Sequence, residues 1–113
     1  MLADCIFCKI IQQIIPAKII AQTSDLIVIA DIAPKAKIHY LIIPKKHVPE
    51  LLAINNSSQD LQIGSAIFLM AQELAKSLNI KDFRLITNNG SGAGQSVFHL
   101  HFHFLAGASL PGF

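Results

Sequence analysis

Charge is scarce in this chain. Charged residues make up 14% of its 113 positions, against 52% hydrophobic. So few charges on so small a body suit either apolar surface covered by a partner, most simply a second copy, or a less soluble monomer. The net charge is only +2, too weak to argue for a nucleic-acid partner. Long apolar runs are missing too. The longest, such as residues 66–71, fall far short of the roughly 20 residues that span a bilayer. No cationic start followed by an apolar stretch and a small-residue cleavage site is visible, so a cytoplasmic location is expected. There is no internal repeat, and 113 residues suit a single domain over positions 1–113.

What the chain does have is histidine at a telling spacing. In Val97-Phe98-His99-Leu100-His101-Phe102-His103-Phe104-Leu105 imidazoles alternate with large apolar side chains. A strand repeats its side-chain direction every two residues, so His99, His101 and His103 are expected on one face, about 6.7 Å apart. Leu100, Phe102 and Phe104 are expected on the other. Polar strand faces usually mix Thr, Ser, Lys and Glu. Three successive imidazoles, which titrate near neutrality, attack phosphorus, move protons and bind metals, point to chemistry.

The remaining elements follow from periodicity and breakers. Asp4 is placed to cap a short helix from Cys5 to about Gln13, ended by Pro16. Residues 17–22 and 26–30 read as strands joined by a turn at Thr23-Ser24-Asp25. Pro34 biases Ala33 toward extended backbone, and residues 38–43 form a third strand. Ser57 or Ser58 caps a helix running to Leu78 or Asn79, with Leu61, Ser65, Phe68, Ala71 or Gln72, Ala75 and Leu78 at helical spacing. Residues 83–87 form a fourth strand and the histidine segment the fifth. Strands joined mostly by short connections, with one long and one short helix, read as an α+β domain with an antiparallel sheet.

Three further features leave alternatives open. Asn88 to Ser96 carries three glycines at alternating positions, which suits either a flexible connection or a backbone cradle for anionic oxygens. Asp31 near Pro34 is either a turn residue or an acceptor for sugar hydroxyls. Cys5 and Cys8 form C-x-x-C, open to structural zinc, two packed thiols or a redox pair. No strand precedes the motif, as a thioredoxin-like pair would require. Zinc needs about four ligands, and His47 and His99 are the natural candidates for the other two. Lys35, Lys37, Lys45 and Lys46 lie close in sequence, as solvated lysines or as attraction for an anion.

The run from His99 to Leu105 matches His-apolar-His-apolar-His-apolar-apolar, and with Asp4–Ile10, Ile43–His47 and Gly94–Val97 it resembles the Hint branch of the histidine triad (HIT) family. The resemblance covers Asp4 to Gly107. It implies a five-stranded sheet continued across a homodimer, with the long helix at the interface. It implies a phosphoramidase that cleaves the P–N bond of purine nucleoside 5′-phosphoramidates, with a ligand of the AMP or GMP type. His101 is then the nucleophile. His103 bonds the phosphate and assists proton transfer, Ser96 donates to the leaving atom, and His39 supports the triad from the third strand. Asn88, Gly94, Gln95 and Ser96 fall on phosphate or leaving-group contacts, and Asp31 and Ile32 where the family holds ribose and base. Some bacterial members close a structural zinc site with Cys5, Cys8, His47 and His99; no cofactor is required for the chemistry. Two other readings stand beside this one: a diadenosine polyphosphate hydrolase, and a non-catalytic nucleotide-binding scaffold. The chain departs from the Hint pattern at Ala30, often histidine there, at Asn89, often acidic, and in a tail without tryptophan.

Overall fold

The computed structural model describes residues 2–107 and 109–112. Five antiparallel strands form one sheet in the order β1-β2-β3-β5-β4. They are β1 (Ile19–Gln22), β2 (Leu26–Ala30), β3 (Ile38–Pro44), β4 (Phe83–Ile86) and β5 (Phe102–Ala106), with helices α1 (Ile6–Ile11) and α2 (Ser58–Leu78). The five-stranded antiparallel sheet and the two helices match the expected fold.

Alternation on the central strands sorts side chains to two layers. Leu26, Val28, Ile42, Leu100 and Phe104 pack with Ile63, Ile67, Met70 and Leu74 of α2. Ile27, Ile29, Leu41 and Ile43 pack with Phe7 and Ile10 of α1. Because β2 and β3 are covered on both sides, they read as continuous apolar runs rather than as alternating ones. In the pairing of β3 with β5, Leu41 lies opposite His103 and His39 opposite Leu105. All four therefore share the α1 side of the sheet, with His39 and His103 as diagonal neighbours.

Local caps differ in detail from the expectation. Cys5, not Asp4, caps α1: its sulfur accepts from the Cys8 amide at 3.3 Å. The helix stops at Ile11, and Gln13 takes a positive φ of 64°, so the chain has turned before Pro16. The long helix is capped as read, with Ser57 Oγ accepting from the Asp60 amide at 3.1 Å and Asn79 left-handed at its end. Its buried stripe is Ile63, Ile67, Met70, Ala71, Leu74 and Ala75. Leu61 and Phe68, picked from spacing, are instead 53% and 61% exposed. The helix is apolar on two sides, so period alone could not say which one the sheet takes.

The fifth strand is shorter than expected. Its ladder begins at Phe102, so His99 and His101 lie before it. The Leu100 amide donates to Val48 O at 2.6 Å, which pulls this stretch toward the loop after β3 and off the sheet. The alternation survives the loss of the ladder, because Leu100 still enters the α2 core.

Candidate active site

His101 is held at both backbone and ring. Its Nδ1–H donates to His99 O at 2.7 Å. A neutral imidazole with its proton on Nδ1 presents a lone pair at Nε2. Thr87 Oγ1 donates to His101 O at 2.8 Å, tying the residue to the end of β4. The Phe7 ring stands edge-on at 5.0 Å. Burial lowers the pKa of His101, opposed by the bond to His99 O and by the Asp31 charge. The ring is therefore an unprotonated base at neutral pH.

His103 follows at 5.2 Å between ring centroids. The Lys35 amide donates to His39 Nδ1 at 3.0 Å, which leaves the His39 proton on Nε2. That Nε2–H donates to His103 Nδ1 at 2.9 Å, and Asp31 Oδ2 lies 3.4 Å away. By the same logic, the His103 proton sits on Nε2. Asp31, His39 and His103 are close enough to suggest a metal. The Lys35 amide argues otherwise, because it makes His39 Nε2 a proton donor. Burial, then the neighbouring His101 and His39, pushes the pKa of His103 down to about 4. Burial lowers that of His39 too. His103, His39, Lys35, Arg84 and Asn88 line a hollow of about 310 Å³.

Asp31 is the turn residue that the sequence allowed, and one of its oxygens is left to face the histidines. Its Oδ1 accepts from the Ala33 amide at 2.8 Å, an Asx turn before Pro34, and its other oxygen faces His39. Ile32 is fully exposed, an apolar side chain beside the site with nothing over it.

The glycine loop is stiffer than its composition suggests. Gly90 and Gly94 have φ of 88° and 96°, a region that disfavours any Cβ. Gln95 is buried, and its side chain serves the loop itself. Oε1 accepts from the Gly90 amide at 2.7 Å, and Nε2 donates to Pro49 O at 2.9 Å and Val97 O at 3.1 Å. Its own amide donates to Gly90 O. The Gln95 side chain therefore pins the loop, bonding Gly90 within it and Pro49 and Val97 outside it. Asn88 lines the hollow beside His103. Ser96 is exposed and borders a separate hollow with Cys5, His47 and Phe98.

His99 takes a different part from the other two triad histidines. Its ring has no exposed surface, and Nε2–H donates to Pro44 O at 2.7 Å. Nδ1 is then a lone pair, and it faces Cys5 Sγ at 3.3 Å, Cys8 Sγ at 3.6 Å and His47 Nδ1 at 3.0 Å. His47 Nδ1 lies 3.3 Å from Cys8 Sγ, and the four donor atoms lie within 4.8 Å of one another. Bond lengths of about 2.0–2.3 Å in a tetrahedron place donors about 3.3–3.8 Å apart. Three sulfur–nitrogen separations, 3.3, 3.3 and 3.6 Å, fall in that range, and the two nitrogens at 3.0 Å lie a little inside it. Two sulfurs and two imidazoles are thus compatible with zinc, and the bond to Pro44 O is of the kind that orients a ligating histidine. Both cysteines are free thiols, and burial raises the pKa of Cys8.

Sequence reasoning missed Thr87, Phe7, the Lys35 amide and the Pro44 carbonyl. Thr87, Phe7 and Pro44 reach the histidines over long chain separations, and the Lys35 and Pro44 contributions come from the backbone. No residue-type signal marks any of them.

Known proteins give the same picture. A model of the HIT domain family matches residues 12–110. A HIT-like protein of Synechocystis is 44% identical over 108 residues, covering 95% of this chain and 93% of its own length. A HIT family hydrolase from Clostridium thermocellum superposes with a TM-score of 0.93 at 43% identity, covering 100% of this chain and 98% of that one. A histidine triad nucleotide-binding protein from Candida albicans superposes with a TM-score of 0.78 at 32% identity, covering 97% of this chain and 85% of that one.

Proposed function

The chain belongs to the HIT domain family, and on that premise we propose that it is a nucleotide hydrolase of the Hint type, cleaving the P–N bond of purine nucleoside 5′-phosphoramidates. One observation carries the reading. His101 is a neutral base whose proton stays on Nδ1, donated to the His99 carbonyl, leaving Nε2 as nucleophile beside a second histidine that carries a proton on its own Nε2.

Nε2 of His101 attacks the α-phosphorus, and a new P–N bond forms as the bond to the leaving amine breaks. The amine needs a proton as it departs. His103, neutral, bonds the phosphate through its Nε2–H, and the amine takes its proton from water, relayed by the hydroxyl of Ser96 at the leaving atom. Charge on the phosphoryl oxygens is met by Asn88, which lines the hollow beside His103, and by the Nε2–H of His103. Water then attacks phosphorus, the bond to His101 breaks, and the nucleoside monophosphate leaves. His39, donating to His103, fixes its tautomer. Asp31 and Ile32 receive the ribose and base of an AMP- or GMP-type ligand.

The same reading takes residues 1–113 as one HIT domain, working in the cytoplasm as a homodimer. Exposed Leu61, Phe68 and Leu69 on α2 would be covered by a second copy, continuing the sheet across the pair. Cys5, Cys8, His47 and His99 would hold a structural zinc, which fixes four side chains from distant parts of the chain and takes no part in the reaction. The test is His101→Ala: turnover should vanish while nucleoside monophosphate still binds, and rapid quench with mass analysis of the native enzyme should find a nucleotide adduct on His101. Near-native turnover in that variant removes the assignment. Lys35 and Arg84 beside the hollow favour one second reading, a diadenosine polyphosphate hydrolase. Specificity constants on a phosphoramidate and a dinucleoside polyphosphate separate the two.

A further inference from the structure

The Cys–His cluster and the nucleophile share a residue. The ring of His99 is locked between Pro44 O and the sulfurs of Cys5 and Cys8, while its carbonyl oxygen accepts a hydrogen bond from Nδ1–H of His101. Neither contact is made by a repeating ladder, since β5 begins only at Phe102. The direction of the His99 carbonyl therefore rests on two holds, the Leu100 amide of the same peptide, which donates to Val48 O at 2.6 Å, and whatever fixes the His99 ring. Phe7 couples the same pieces a second way. It lies on α1, one residue before Cys8, and its ring touches both His99, at 5.8 Å, and His101, at 5.0 Å.

We infer that His99 is a positioning residue through which metal occupancy of the Cys5–Cys8–His47–His99 cluster sets the orientation of His101. The inference rests on the proposed role of His101. With the four donors gathered on zinc, the His99 ring is clamped and its carbonyl points at Nδ1 of His101. Without it, two thiols and two imidazoles keep only hydrogen bonds, among themselves and from His99 Nε2–H to Pro44 O. The Leu100 amide still donates to Val48 O and the His99 ring to Pro44 O, but the Nδ1 side of the ring is loosened. That lets the His99 carbonyl tilt, weakens its hydrogen bond from His101 Nδ1–H and blurs which ring nitrogen carries the lone pair. A misplacement of about 1 Å at a reacting group is enough to slow chemistry by about a hundredfold. The nucleotide contacts at Asp31, Ile32 and Asn88 belong to other segments and should not follow.

The test compares the zinc-loaded full chain with chelator-treated protein and with Cys5→Ser. Serine is a favoured helix N-cap, so Cys5→Ser keeps the bond that starts α1 while removing one thiolate. Zinc is counted per chain, kcat and KM are measured on a phosphoramidate, and nucleoside monophosphate binding is measured by calorimetry. Long-range nitrogen–proton NMR reads the tautomer of His101. Loss of zinc should lower kcat at least about tenfold with KM and monophosphate affinity kept. The protected Nδ1–H signal of His101 should fade, and zinc add-back to chelated protein should restore both. The inference is overturned by a native chain that binds less than a tenth of an equivalent of zinc, or by kcat and the Nδ1–H signal surviving metal loss. Loss of monophosphate binding in step with kcat, which marks general unfolding, overturns it too. If the reaction class is wrong, the loaded protein turns over no phosphoramidate, yet the NMR comparison still reads the coupling.

Discussion

Thr87→Val removes one hydroxyl and almost no volume, and it isolates how much the site depends on the backbone of His101. The hydroxyl donates to His101 O at 2.8 Å. His101 precedes β5, so this tether does the holding that a strand ladder would otherwise do. A net hydrogen bond of this kind contributes about 1 kcal/mol. For a chain of 113 residues the entropy of unfolding is about 0.24 kcal/mol/K, so the variant should melt about 4 °C lower. The larger effect should be on chemistry. A looser backbone at the nucleophile lowers the fraction of well-aimed Nε2, so kcat should fall about tenfold with little change in KM. Thr87→Ser keeps the hydroxyl and should stay within about twofold of native kcat. Steady-state kinetics on a fluorogenic phosphoramidate with differential scanning fluorimetry reads both numbers. If Thr87→Val melts lower but keeps native kcat, the bond is structural only. If neither changes, the tether argument fails.

Phe104 is fully buried between sheet and α2, so Phe104→Ala should cost about 3–5 kcal/mol. A urea midpoint that moves by less than the equivalent of about 1 kcal/mol would contradict the assigned core. The pKa of His103 falls from an ordinary 6.5 to about 4 on folding, and that of His39 is lowered. Below pH 6.5 the unfolded chain binds protons that the folded chain refuses. Stability should therefore be full above that pH and decline as pH falls toward 4. Urea midpoints at pH 7 and pH 5 check this, and an equal or higher midpoint at pH 5 would refute it. Phe68→Glu puts a charge on the exposed stripe of α2 and should shift a homodimer toward monomer. Light scattering after gel filtration reads the mass, and an unshifted dimer would place the interface elsewhere.

Much of the fold was legible because its signals are local. The run Leu26–Ala30, the breakers at Pro16 and Pro34, and the cap at Ser57 each need only neighbouring residues, and each element was placed to within a few positions. Where neighbours conflict, the reading slipped. The long helix offered two apolar stripes, and only the sheet could choose Ile63 and Ile67 over Leu61 and Phe68. At the N-terminus Cys5 took the capping position from Asp4, since its sulfur is held next to His99, a residue far along the chain.

The alternation from His99 to Phe104 by itself determined that imidazoles would turn one way and apolar side chains the other, since opposite-facing neighbours follow from any extended backbone. It did not determine what each ring does. That was decided by contacts between distant segments: Pro44 and the cysteines around His99, the His99 carbonyl and Thr87 around His101, and the Lys35 amide with His39 around His103. Hydrogen bonds to backbone atoms leave no trace in residue type, and it is these bonds that set which nitrogen of each histidine keeps its proton.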